Sequence, residues 1–245
     1  NYIGDSTNPF KYAISVDTDN LTKVELHEST EVIYDTFFIN ENLDFEFGAS
    51  VKEIRTNFYS ASGELSLYYN GTINDWLNII FQEQYSNPMH IYQKVYTKEN
   101  GEYKLLESLI LDDSVKVIGD YQFAGLSIKD LKLPNDLEYV GKYSFFRSTI
   151  TGKFDLGNLS TISEHMFQIA HISNFELSDS VVRIEDYAFS EIALRELYLP
   201  ESVEYIGEYA FEFNQIYKLE MYAVDYISNE AFSGMNISEL IFNGD

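Results

Sequence analysis

The side chains best suited to chemistry in this chain are four histidines and forty carboxylates, with no cysteine beside them. His27, His90, His165 and His171 would ligate a metal or move a proton only with partners at fixed offsets. No H-x-x-x-H with a nearby acid occurs, and His165 and His171 stand six apart, on opposite sides of one expected loop. All four read as surface or turn residues. Without Cys there is neither a disulfide framework nor a thiolate zinc site. G-x-S-x-G, phosphate-loop and G-x-G-x-x-G patterns are missing. "DTDN" at 17–20 is too short for a calcium loop. A carboxylate pair for glycoside hydrolysis is defined by geometry, which so many acids cannot single out. No catalytic residue, metal site or cofactor is expected.

Sixteen basic residues against forty acidic ones leave a formal charge of −24. That field repels nucleic acid and anionic lipid, so neither is an expected partner. It keeps an exposed protein soluble, with a basic partner or calcium as the other readings. The 245 residues are 45% hydrophobic and 23% charged, and no apolar run reaches the ~18 residues of a membrane span. The first residue is not Met and no basic-then-apolar leader follows, so the chain reads as a mature form or a piece of a longer one. Asn20, Asn70, Asn158 and Asn236 begin N-x-S/T triplets, which matter only in a eukaryotic secretory pathway.

What organises these side chains is a repeat. "LKLPNDLEYVGKYSF" (131–145) returns as "LYLPESVEYIGEYAF" (197–211). Phe123, Phe145, Phe167, Phe189 and Phe211 are spaced by 22, and Phe232 follows after 21. Five residues before each stands Ile118, Val140, Ile162, Ile184, Ile206 or Ile227. A second ladder is of L-x-L type: Leu109/Leu111, Leu131/Leu133, Phe154/Leu156, Phe175/Leu177, Leu197/Leu199, Leu219/Met221, and finally Leu240/Phe242. A third, at Ile128, Ile150, Ile172, Leu194, Ile216 and Ile237, runs just ahead of it.

Each unit reads as a strand, a short extended piece ending in Gly, and about one helical turn carrying Ala and Phe. One such unit cannot fold alone. Ordering each residue costs about 1–2 kcal/mol, while a buried Phe or Leu returns only about 1.5–3 kcal/mol. Stacked coils share their apolar faces and make up the deficit, giving a solenoid with parallel strands about 4.8 Å apart. Val24/Leu26 and Phe45/Phe47, with Ile33/Phe38 and Ile54/Tyr59, repeat the grammar in weaker form. Leu65/Leu67 opens a third coil. The expected layout is one solenoid over 1–245: a cap or degraded coil at 1–23, weak repeats at 24–67, an irregular insertion at 68–108, and six regular repeats plus a truncated one at 109–245. The insertion carries a hairpin turning at Asn100-Gly101 and is anchored by Trp76.

The motif L-x-L-P-x-S-V-x-x-I-G-x-x-A-F closely resembles the BspA-like leucine-rich repeats. It is nearly intact at 197–211, at 131–145 with Val140 and Ser144 substituted, and at 177–189 with Glu185 in place of Gly. "YYNGTINDW" (68–76) looks like an interruption seen in such proteins. Where many members carry Cys, this chain has Leu126, Ser148, Ala170, Ile192, Asn214 and Met235. The resemblance implies a leucine-rich-repeat horseshoe, an α/β and β-rich repeat, with strands on the concave face and short helical turns on the convex one. It also implies a non-catalytic, extracellular or cell-surface bacterial protein that adheres to host or matrix. The alternative is a structural spacer, or an accessory scaffold for another domain of a longer chain.

In such a solenoid the middle residue of L-x-L faces outward on the inner surface. The expected ligand stripe, for a protein or glycan, comprises Glu25, Glu46, Lys132, Asp155, Glu176, Tyr198 and Glu220, with Ser66, Ile110 and Ile241 at equivalent places. Tyr198 would be its aromatic anchor, and the carboxylates would select a cationic or polyhydroxylated partner. Glu25 with Glu46, and Asp155 with Glu176, are expected side by side. Tyr121, Tyr143, Tyr187 and Tyr209 stand two residues before the ladder Phe and would form a stacked row, as packing cover or a glycan strip. A monomer is expected.

Overall fold

An L-x-L segment pleats so that both apolar residues face one side. In the computed structural model of the chain these segments pair as parallel strands, coil after coil. The structure describes residues 2–4, 6–14, 21–34, 37–39, 43–60 and 65–244, with backbone alone for 37–39 and 60. "DTDN", Asn20 and the side chain of Phe38 lie outside that description. The chain divides into two compact units, Asn1–Leu106 with Tyr121–Gly125, and Glu107–Asp120 with Leu126–Asp245.

In the second unit the apolar ladders run in register. Leu109 pairs with Leu131, and Leu131 with Phe154. Leu197 pairs with Leu219, and Leu219 with Leu240. A second wall aligns Ile162, Ile184, Ile206 and Ile227, and a third aligns Ile128, Ile150 and Ile172. Inside, Phe145, Phe167, Phe189, Phe211 and Phe232 form one column, with neighbouring ring centroids 5.3–5.7 Å apart. The first four are fully buried. A β-solenoid of stacked coils is what this unit is.

The expected helical turn is a different structure. No helix occurs among the described residues of 109–245. Each coil instead makes successive tight turns, such as Phe146 N to Tyr143 O and Ser148 N to Phe145 O, both 3.1 Å. Tyr143, His165, Tyr187 and Tyr209 all adopt left-handed φ of 55–56°, and four residues on, Arg147, Ile169, Glu191 and Phe213 are left-handed too, at 55–61°. Side chains pay for that region in sterics. The return is a run of coil-to-coil bonds: Phe145 N to Met166 O at 3.0 Å, Phe167 N to Ala188 O at 2.9 Å, Phe189 N to Ala210 O at 2.8 Å. The turns thus stack as a further hydrogen-bonded wall.

In the first unit a five-stranded sheet runs Glu102–Leu105, Lys94–Glu99, Ser66–Asn70, Asp44–Gly48, Lys23–Glu25. All neighbours are parallel except the first pair. The 68–108 segment therefore differs from the irregular insertion expected. Tyr68 already lies within a strand, and Val95 is the ladder partner of Leu67, 28 residues later, so this is one long coil followed by a hairpin. The hairpin turns at Asn100 and Gly101, with φ of 51° and 85°. The register also moves: Glu46 faces Tyr68, so Leu67/Tyr69 is the true L-x-L and Ser66 is not its middle. Residues 12–13 already pair in parallel with Val32–Ile33.

Trp76 closes the long coil. It ends a one-turn helix capped by Thr72 and Asp75 and is fully buried against Phe47, Tyr69 and Phe81. Its Nε1–H donates to Gln122 O at 2.9 Å, and Gln122 Nε2 donates back to Trp76 O at 2.7 Å.

Candidate binding surface

Alternation in a strand puts the x of L-x-L on the face away from the core. In the first unit Glu25 and Glu46 are register partners, as their spacing suggested. Two carboxylates so placed repel unless a cation intervenes, and Lys23 does: its Nζ lies 2.6 Å from Glu46 and 3.5 Å from Glu25. Tyr103 donates to Glu46 from the other side at 2.6 Å. Burial works to raise the pKa of Glu46, but the bonds and charge of Lys23 and Tyr103 outweigh it and hold the carboxyl below its ordinary range.

Beside this pair stands a feature that the sequence reading missed. Tyr68 and Tyr96 are register partners whose rings stack at 4.8 Å and 7°. Tyr103 meets Tyr68 edge-on at 5.3 Å, and Lys98 lies over the Tyr103 ring at 4.4 Å. All three tyrosines are half-buried. The signal was the alternation in "SLYYN" and "KVYTKE", obscured because residues 68–108 read as an insertion.

In the second unit Ile110, Lys132 and Asp155 form one row. Asp155 pairs with Lys153 at 3.0 Å and accepts from Gly157 N at 3.0 Å. Burial opposes these bonds, yet they hold its pKa down. Tyr198, Glu220 and Ile241 form another row. Lys218 binds Glu220 at 2.9 Å and Asn243 adds a bond at 2.8 Å, which together depress its pKa. Tyr198 is 45% exposed, and its hydroxyl, bonded to Tyr222, is held protonated above its usual range. Glu176 is exposed but belongs to no strand, so Asp155 and Glu176 are not register partners as expected. Glu46, Asp155 and Glu220 each hold a lysine, which leaves the stripe mixed in charge and poorly suited to selecting a cation.

The row of tyrosines at the tight turns is a real stack with one unforeseen rung. Tyr143, His165, Tyr187 and Tyr209 follow one another at 4.2, 4.7 and 5.0 Å. Burial lowers the pKa of His165, whose Nδ1 meets Gln168 Oε1 at 2.7 Å. His27 stacks on Phe10 at 3.9 Å, and His90 Nδ1 meets Asn87 O at 2.6 Å. His171 is an exposed strand residue. Among the described residues no three His, Asp or Glu converge as a metal site, and no helix is long and apolar enough to cross a membrane.

The family model for the BspA type leucine rich repeat region (6 copies) matches residues 90–216 and 152–245, more than half of the chain. This chain belongs to the BspA-type leucine-rich repeat family. The BspA-type repeat accounts for the matched coils and their parallel ladders; the coils before residue 90 lie outside the match. No curated protein and no solved structure matches the chain. A BspA-type solenoid is in general a binding scaffold without catalytic machinery.

Proposed function

We propose that the chain is a non-catalytic protein- or glycan-binding module of a cell-surface or secreted bacterial protein, acting in adhesion to host or matrix. Family membership supports the location and the role. The observation that carries the reading is the exposed L-x-L face, where Tyr68, Tyr96 and Tyr103 stand on a rigid sheet beside the Lys23–Glu46 pair. Tyrosines fixed by stacking offer large amphipathic contact at small entropic cost. Glu25 belongs to the same face of the first unit, and the second unit carries a face of its own, with side chains of both signs at Lys132, Asp155, Glu176, Tyr198 and Glu220. Paired carboxylates keep their acceptor capacity for hydroxyls and backbone amides while losing their pull on free cations.

Matrix proteins and a glycan array, probed with the chain, test this. Tyr68→Ser with Tyr96→Ser, and separately Tyr198→Ala with Glu220→Ala, should weaken whatever binds at least tenfold, about 1.4 kcal/mol, with Tm held. Full affinity in both variants overturns the surface assignment. A chain that captures nothing in either screen is a spacer.

A further inference from the structure

The position two residues past L-x-L has a structural task in one coil and none in others. Asp113, two residues after Leu111, accepts the backbone N–H of Asn135 on the next coil at 3.0 Å. Asp179 and Glu201 hold the same position after Leu177 and Leu199, on successive coils. Both are exposed, and neither makes a hydrogen bond or an ion pair among the described residues.

The backbone gives the reason. Leu111 N donates to Lys132 O at 3.0 Å and Leu133 N to Asp155 O at 2.9 Å, whereas Phe175 and Leu177 make no such bond to Glu196 and Tyr198. Glu201 N is therefore not brought to Asp179 as Asn135 N is to Asp113. The two coils are nonetheless fixed to each other. Phe175 stacks on Phe154 at 5.7 Å and meets Phe189 edge-on at 5.0 Å. Beyond the rung, Ser202 Oγ donates to Val181 O at 2.7 Å and Glu204 N to Val182 O at 2.9 Å.

Two tyrosines complete the place. Tyr198 is the outward residue of its L-x-L, and Tyr222 stands where the preceding coil has Pro200. Their rings meet edge-on at 6.4 Å and 84°, and the Tyr198 hydroxyl is bonded to Tyr222. With Asp179, Glu201 and Ser202 they line a recess of about 460 Å³. Asp155 and Glu220, on the same face, each hold a lysine; Asp179 and Glu201 hold no cation. Two uncompensated carboxylates beside two aromatic rings suit a cation that is also planar. The protein shows that arrangement internally: the Arg183 guanidinium lies 3.9 Å over the Tyr205 ring while its Nε meets Glu185 at 3.0 Å.

We infer that this recess seats an exposed arginine of a protein partner, its guanidinium laid against the tyrosine rings and its N–H groups donated to Asp179 and Glu201. A rigid fork of five donors can serve both carboxylates and still stack, which the compact ammonium of lysine cannot match. The inference rests on the binding-module reading and names a partner chemistry for the face of the second unit.

The probe is N-acetyl-L-arginine methylamide, titrated against the isotope-labelled whole chain and read by amide chemical shifts. Shifts should centre on residues 179, 198, 201, 202 and 222. The citrulline counterpart, of the same shape without the charge, should bind at least tenfold more weakly, and the lysine counterpart more weakly than arginine. Asp179→Asn with Glu201→Gln should cost arginine at least tenfold, and Tyr222→Ser should remove much of its preference over lysine. The two acids are exposed, so an unchanged Tm certifies the fold of the double variant. Citrulline or lysine binding as tightly as arginine, or an affinity untouched by the double substitution, overturns the inference. If arginine does not bind while the chain still captures a matrix protein or glycan, the seat falls and the broader reading stands. If arginine binds here and both screens are empty, the seat stands and the adhesive reading falls.

Discussion

The carboxylate of Asp186 fills the space that a Cβ on Gly207 would need. Its Oδ1 accepts from Glu208 N at 2.7 Å, and a Cβ built on Gly207 falls 2.5 Å from that oxygen and 2.6 Å from the Asp186 amide nitrogen. Asp120 stands to Gly141 in the same relation and accepts from Lys142 N at 2.9 Å. Neither glycine has positive φ, so the Gly of V-x-x-I-G serves close approach and not the change of direction that its sequence suggested. The departure at Glu185 now has a reason: the preceding coil carries Glu164, whose carboxylate is held by Lys142 Nζ.

Gly207→Ala should therefore lower stability by about 1–3 kcal/mol, because the neighbouring backbone must shift. Adding Asp186→Ala should recover only part, since the Asp186 nitrogen remains in the way. Urea titration of both variants measures it.

Phe167→Ala should cost about 3–5 kcal/mol, as for a fully enclosed aromatic ring. Phe232, at the end of the column and only half-buried, should cost clearly less. Chemical unfolding of the two variants side by side decides this; equal losses would contradict a core that shares each ring between coils.

The Lys23–Glu46 pair should be visible as a pH dependence. Glu46 titrates in the fold below its unfolded value near 4.5. Its contribution is then complete above that value and is lost as pH falls through the folded pKa. The Tm gap between the parent and Glu46→Gln should be constant near neutrality and close under acid.

His165→Tyr should extend the turn-side stack without loss, since Tyr143, Tyr187 and Tyr209 hold the same backbone conformation. Burial sets the folded pKa of His165 below 6.5, so the parent loses stability as pH falls from 6.5 through that folded pKa. Tyr does not titrate there. The Tm advantage of the tyrosine variant should widen over that range.

The ladders were legible because an apolar residue returning every 22 positions has few physical explanations. The register at Ser66 was not. Leu65, Leu67 and Tyr69 alternate alike, and a slip of two residues leaves every side chain on its own face. The left-handed tyrosines were hidden because Tyr has no preference for positive φ; only the bonds between coils stabilise it there. The rung at Phe175–Leu177 carries the same letters as its neighbours, and its aromatic packing is intact. What it lacks is backbone pairing, which side-chain pattern does not record. Tyr68 and Tyr96 escaped for a plainer reason, a coil of unusual length.

The left-handed residues set how this molecule must assemble. An isolated coil would carry two unfavourable backbone positions, one of them the β-branched Ile169, with no adjoining turn to bond them. Growth therefore starts from a dimer of adjacent coils and advances by accretion, each newcomer locked by the one already laid down, as in a crystal lengthening along one axis.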